Sequence, residues 1–501
     1  MRVAIVLSSI VFLSACSKQV ESPARDADVA IDADVAIDAD LLDDASVAAD
    51  AAVAARDASS FDAAADATSP FDASALVDAA VVTITVPPSR IAAGGTHSCA
   101  ILESGFVKCW GGNASGQLGL GDMAFRGDSV GEMGDALPAV ELGAGRRARS
   151  IAGGNLFTCA LLDDGDVKCW GGNGSGQLGL GDTASRGDGP GEMHDALPAV
   201  SLGSGTVVAI ATGNAHACAL FDDGRVKCWG YNNYGQLGLG DTTRRGTSPG
   251  DMGASLPYVE LGTGRYATAI SAGATHTCAV LDDGTAKCWG YSGVGQLGVP
   301  GVTSRGDAPG EMGDALPAID VGTGRTVLAV AAGVFHTCAV LDDTSVKCWG
   351  FGSSGQLGLG DDEVRGTSES EMGDALPAVA LGDSLAVSRL ALGSAHSCAT
   401  FADGRLKCWG GNAAGQLGIG DALSRGTAPS EMGASLPFVS LGTAASISGL
   451  VSGGNHLCAR LSDGAIKCWG ANAEGQLGRG DTAARGDGAG EMGDALLPVE
   501  L

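Results

Sequence analysis

Cys159-Ala-Leu-Leu-Asp-Asp-Gly-Asp-Val-Lys-Cys169-Trp170-Gly171 is one of seven copies of a single hairpin. The others begin at Cys99, Cys218, Cys278, Cys338, Cys398 and Cys458 and close at Cys109, Cys228, Cys288, Cys348, Cys408 and Cys468. Trp-Gly follows each closing cysteine, so the copies use all seven tryptophans and all but one of the 15 cysteines. Asp163-Asp164-Gly165 reads as a three-residue hairpin loop, a type I turn followed by a glycine in the left-handed region. Counting outward pairs Leu162 with Asp166, Leu161 with Val167, Ala160 with Lys168 and Cys159 with Cys169. The closing pair is hydrogen-bonded, so the cysteines form a non-hydrogen-bonded pair with Cα atoms about 4.5 Å apart, within disulfide reach. Seven disulfides inside hairpins are therefore expected. Reduced core thiols are the alternative; zinc is disfavoured because the spacing lacks a short Cys-x2–4-Cys knuckle. Thr344 replaces the loop glycine in the fifth copy, where a positive φ is costly.

The chain opens differently. Met1 to Ala15 carries Arg2, an apolar run from Val3 to Leu13 and small residues after it. That is the composition of an export signal, and it is too short to span a bilayer as a mature helix. Leu13-Ser14-Ala15-Cys16 resembles the bacterial lipobox, which implies cleavage before Cys16 and its acylation. Residues 1–15 are then a lipoprotein signal, and Ser17 resembles lipoproteins sent to the outer membrane. Residues 16–80 read as an acidic, low-complexity tether: Glu21 to Ala80 holds 15 acidic residues against Arg25 and Arg56. Such a segment buries too little apolar surface to offset its ordering entropy, and its charges extend it. Val81 to Val86 is β-branched and strand-like until Pro87-Pro88.

From residue 89 the chain repeats. First cysteines recur at intervals of 60, 59, 60, 60, 60 and 60 residues, the mark of a repeat architecture. Each period offers four strand-like pieces; in the second they are 150–153, 158–162, 167–170 and 199–202. No amphipathic helical pattern appears, and four short strands per period indicate a propeller blade. The residues Gly94 to His97, Gly105, Val107 to Gly111 and Asn113 to Gly119 resemble the regulator of chromosome condensation (RCC1) repeat. Gly-Gln-Leu-Gly recurs in all seven copies. The resemblance implies an all-β fold, a seven-bladed β-propeller with four-stranded blades, over residues 81–501. If each fourth strand completes the next blade, Leu497 to Leu501 returns to the first and closes the ring; Val81 to Val86 competes for that place.

Few residues suggest chemistry. His97, His216, His276, His336, His396 and His456 each precede a first cysteine by two positions, with Phe157 in the second copy. Around a ring they diverge, whereas a metal needs three or four converging ligands, so they read as structural. Arg126, Arg186, Arg245, Arg305, Arg365, Arg425 and Arg485 are each followed six residues later by an acid and then a methionine, which suggests one ion pair and one anchor per loop. A calcium cluster from Asp122, Asp128, Glu132 and Asp135 is the rival, broken in other copies by Gly301, Ala254 and Ala434. Arg-Gly-Asp at Arg126, Arg186, Arg305 and Arg485 resembles an integrin-binding tripeptide. No serine elbow, phosphate loop or zinc helix occurs. Residues unique to one copy, such as His194, Tyr231, Tyr234, Tyr266 and Glu474, are scattered, although Tyr231, Tyr234 and Phe351 could form an aromatic patch.

Charge narrows the partners. Of the chain's −28, −13 lies in the tether and +2 in Arg2 and Lys18, leaving −17 for the repeats, which repels phosphate and disfavours nucleic acid. The expectation is a monomeric, non-catalytic binding protein of the bacterial cell envelope, lipid-anchored in the outer membrane. It uses no cofactor or metal and meets a protein or glycan partner. The alternatives are an enzyme inhibitor or regulator, a polysaccharide-acting enzyme with two suitably spaced carboxylates, and a calcium-dependent adhesin.

Overall fold

The computed structural model describes residues 88–382, 386–443 and 445–501. The signal segment, Cys16, the tether and Val81 to Val86 lie outside the described residues. In each hairpin the first cysteine faces the second, with its neighbours in the register expected from the loop. Gly165 takes φ +90° and Thr344 φ +66°, so the fifth hairpin keeps its turn at a steric cost. Each cysteine pair is joined as a disulfide with Cα atoms 4.1 Å apart.

Among the described residues seven antiparallel sheets result, six of three consecutive strands and one of four. In the second blade these are Ala148–Gly153, Phe157–Leu162 and Val167–Gly171. First strands touch first strands of the neighbouring blades, so they are innermost. The expected fourth strand is reduced to points of attachment. Gly171 and Arg186 exchange two backbone hydrogen bonds, and the Val200 N–H donates to the Val167 carbonyl. Among the described residues only the fourth blade has a regular fourth strand, Ser304–Arg305, at the position of Arg186 in the second. The proline before the expected strand, Pro198 in the second blade, accounts for the single bond at Val200: proline donates no N–H to a ladder.

The core lies between blades. Cys159, Leu178 and Val200 of the second pack with Phe221, Trp229 and Leu256 of the third. The repeat motif supplies the polar joints. Every tryptophan is fully buried, and its indole N–H donates to the glutamine carbonyl of the preceding Gly-Gln-Leu-Gly, as in Trp170 to Gln117 at 3.0 Å and Trp229 to Gln177 at 2.9 Å. Trp110 of the first blade donates likewise to Gln476 of the seventh at 3.0 Å. The seventh blade thus meets the first through the joint used everywhere else, and Ile91, Trp110, Val451 and Leu477 share one cluster. The C-terminal segment acts differently from expectation. Val499 bonds Ile466 of its own blade while packing with Ile91, Trp110 and Leu137 of the first, and the Glu500 carbonyl accepts from Gly134 there.

Candidate interaction surface

The six histidines are buried. His97, His216, His276 and His336 place Nε2 2.9–3.0 Å from the hydroxyl of Thr158, Thr277, Thr337 or Ser397 in the next blade, and His456 reaches Ser98 at 2.9 Å. Those hydroxyls donate their own proton to a glutamine carbonyl, so each must accept from the histidine. That fixes the neutral tautomer with Nε2 protonated. Among the described residues Nδ1 has no partner, and burial pushes five of the rings down to about 3, with neighbouring imidazoles adding to it in several cases. His456 is lowered to about 4. The glycine three residues earlier makes room: a Cβ on Gly94 would fall 2.0 Å from His97 Cε1. The histidines are joints, as their spacing suggests, and cannot converge on an ion.

In the long loops the arginines choose a different acid from the expected one. Arg126, Arg186, Arg245, Arg365, Arg425 and Arg485 pair with the aspartate four residues earlier at 2.6–2.7 Å. The acid six residues later folds the turn instead. Glu192 Oε2 accepts the N–H groups of Gly187 and Gly189, both at 2.9 Å. Backbone donors left over by the tight turn claim it first. Where Gly301 replaces the aspartate, Arg305 turns to Glu311 at 3.6 Å. Two of the four carboxylates of the expected calcium cluster are thus already engaged: Asp122 by Arg126 and Ala124, Glu132 by Gly127 and Ser129. Among the described residues no three histidine, cysteine or acidic side chains gather as a metal site would require. The Arg-Gly-Asp segments are packed down. Gly187 is buried, and a Cβ on Gly116 of the preceding blade would meet Asp188 N at 2.4 Å.

One feature breaks the sevenfold pattern. Tyr231, Tyr234, Tyr291 and Phe335 form a chain of rings across blades three, four and five, with centroids 6.3, 4.8 and 6.4 Å apart. The guanidinium of Arg244 lies 4.9 Å from the Tyr231 ring. Phe351 continues the series, its N–H bonded to the Phe335 carbonyl. All five rings are half-exposed. Phe335 packs against the buried side chains of Ala274 and Val334. The arc stands at the strand ends that begin with the histidines. Residue 89 and the Asp-Gly turns lie at the opposite ends: Arg90 bonds the Leu102 carbonyl beside the first turn.

The other unique residues are elsewhere. Tyr266 lies by a hairpin turn, its N–H on Asp282, and Glu474 accepts from Thr96 at 2.8 Å. His194 takes φ +63° where six copies have glycine, with Nδ1 3.0 Å from Asp195. Sequence reading found Tyr231, Tyr234 and Phe351 but missed Tyr291 and Phe335. The signal was present: the residue after Trp-Gly is Tyr231, Tyr291 and Phe351 in three consecutive copies and small in the other four.

An RCC1-like domain matches residues 62–373, and RCC1 repeats match 387–416 and 447–476. The chain belongs to the RCC1-like family. It is 30% identical over 408 residues to the ultraviolet-B receptor UVR8 of Arabidopsis thaliana, covering 80% of this chain and 82% of that one. Two solved structures of yeast RCC1, Prp20, share the fold at 20% identity. One, bound to Kap60, has a TM-score of 0.58 over 85% of this chain and 90% of its own. The other, from Saccharomyces cerevisiae, scores 0.57 over 80% and 86%. This RCC1-like propeller departs from the repeat by its paired cysteines and by its one-sided aromatic arc.

Proposed function

We propose that this propeller is a non-catalytic binding protein of the bacterial cell envelope, held by a lipid on Cys16, and that it engages a protein partner through the aromatic arc. The observation that carries this is the arc itself: three of the five tyrosines of the chain stand together on two consecutive blades, and Phe335 of the next blade extends them. Buried aromatic anchors with an arginine beside them dominate binding energy at protein interfaces. Yeast Prp20 is described bound to Kap60 and as binding Gsp1p and histones, so a protein partner suits the fold. Arg90, near the start of the described residues, lies at the end of the blades away from the arc, which would present the arc outward from a membrane that holds the chain through Cys16. The protein acts as a monomer without cofactor or metal.

Two variants test the two halves. Cys16→Ser should release the protein from membranes into the soluble fraction; continued partitioning into detergent overturns the anchor. Tyr234→Ala with Tyr291→Ala should leave the melting temperature nearly unchanged. It should also abolish the crosslinked products that the native chain forms in its own cells. Unchanged products would overturn the arc as the binding surface.

A further inference from the structure

The loops that border the arc differ in charge as sharply as the arc differs in composition. Between the residue after Trp-Gly and the leucine of Leu-Pro, blade three (231–256) carries two acids and two arginines. Blade four (291–316) carries three acids and one arginine, and blade five (351–376) six acids and one arginine. Blade three is the least acidic of the seven and blade five the most acidic, two blades apart on one side of the ring. In blade five Arg365 is taken by Asp361 at 2.6 Å, and Glu371 by the N–H groups of Thr367 and Ser368. Asp362, Glu363 and Glu369 are exposed and have no cationic partner among the described residues. Their loop abuts the arc directly, for a Cβ on Gly352, the residue after Phe351, would meet the Glu363 carbonyl oxygen at 2.1 Å. At the other end Arg244 covers Tyr231. Rings and unpaired charges therefore depart from the repeat in the same three blades.

We propose that the arc receives a protein segment with an aromatic or aliphatic anchor seated on Tyr234, Tyr291 and Phe335 and lysine or arginine side chains laid over the blade-five loop. This rests on the arc being the binding surface and adds the chemistry of its partner. An apolar centre excludes water while a charged rim sets orientation and association rate. Exposed carboxylates without partners attract cations from solution at no cost of breaking an existing pair. A glycan would have no use for a net charge of this size at one end.

Selection from a random dodecapeptide display library on the full-length chain tests this. The expected consensus holds a large apolar residue followed by at least two Lys or Arg. A synthetic peptide of that consensus should bind at least tenfold more weakly to Tyr234→Ala, Tyr291→Ala. It should bind severalfold more weakly to Asp362→Asn, Glu363→Gln, Glu369→Gln, and also at raised salt. An acidic or uncharged consensus lost in the tyrosine variant overturns the basic partner while leaving the arc as the surface. A consensus unaffected by the tyrosine variant, or none at all, overturns both. Binding confined to oligosaccharides on a glycan array, lost in the tyrosine variant, replaces a protein partner with a glycan.

Discussion

At position 157 a phenylalanine stands where the other copies have histidine, and the residue it faces in the next blade has changed to match. Ala217 replaces the threonine or serine that accepts from histidine elsewhere, and both side chains lie in one apolar cluster. The seventh blade shows the same logic. Leu457 offers His396 no hydroxyl, so His396 bonds Ser452 at 2.8 Å, a serine found at that position in no other copy. These joints are exchangeable in pairs but not singly. Phe157→His alone should leave a buried donor facing a methyl group and cost about 1–3 kcal/mol. Adding Ala217→Thr should recover about 1–2 kcal/mol, read from a double-mutant cycle of urea unfolding; zero coupling would refute the joint. His194 is the opposite case, a side chain at φ +63° whose contact with Asp195 is largely exposed. His194→Gly should stabilise the protein by about 1 kcal/mol, because the left-handed region costs about that much for a residue with Cβ.

At the scale of elements, the two acids of each long loop do different work. Asp182 pairs through Oδ2 with Arg186 near the surface, a contact typically worth under about 1 kcal/mol, and its Oδ1 accepts from Ala184 N–H and Asn173 Nδ2, bonds an asparagine oxygen can keep. Glu192 holds the turn by two backbone N–H groups that have no other partner. Glu192→Gln should therefore cost about 1–2 kcal/mol and open the loop to limited proteolysis, whereas Asp182→Asn should change the melting temperature little. The sequence made the hairpins legible because everything that sets them is local: the Asp-Gly turn, the alternation after it and the cysteine spacing. The arginine's choice was not legible, since acids stood at both −4 and +6 and only the folded turn shows which is occupied. The fourth strand misled because Ala199-Val-Ser-Leu202 alternates like a strand while Pro198 removes the donor a ladder needs. The arc was half legible. Tyr231 and Phe351 stood out as unique residues, but Phe335 approaches Tyr291 only when neighbouring blades pack.

Over the whole ring, the histidine joints make acid the condition that undoes the fold. Each of the six rings is neutral, with Nε2–H committed to a hydroxyl and Nδ1 without an acceptor. A second proton has nothing to bond inside the joint. Their folded values of about 3 to 4 lie below the ordinary 6.5 of an unfolded histidine. Below pH 6.5 the unfolded chain therefore binds protons that the native ring refuses. Stability is full above 6.5 and falls as pH drops toward 3, by roughly 1.4 kcal/mol per unit for each histidine. Two units down, six such groups amount to something on the order of 15 kcal/mol, comparable with the whole stability of an ordinary domain. The hairpin disulfides oppose this only by about 2.5–3 kcal/mol each through the unfolded state, and they are equally present at every pH. The urea midpoint of the oxidised protein should hold steady from pH 8 to 6.5 and collapse between about 5 and 3.5. Converting one joint to the pair already used in nature here, His216→Phe with Thr277→Ala, should make the fall measurably shallower. A midpoint unchanged from pH 7 to 4.5, or a double variant with the native slope, would show that the imidazoles are not what acid attacks.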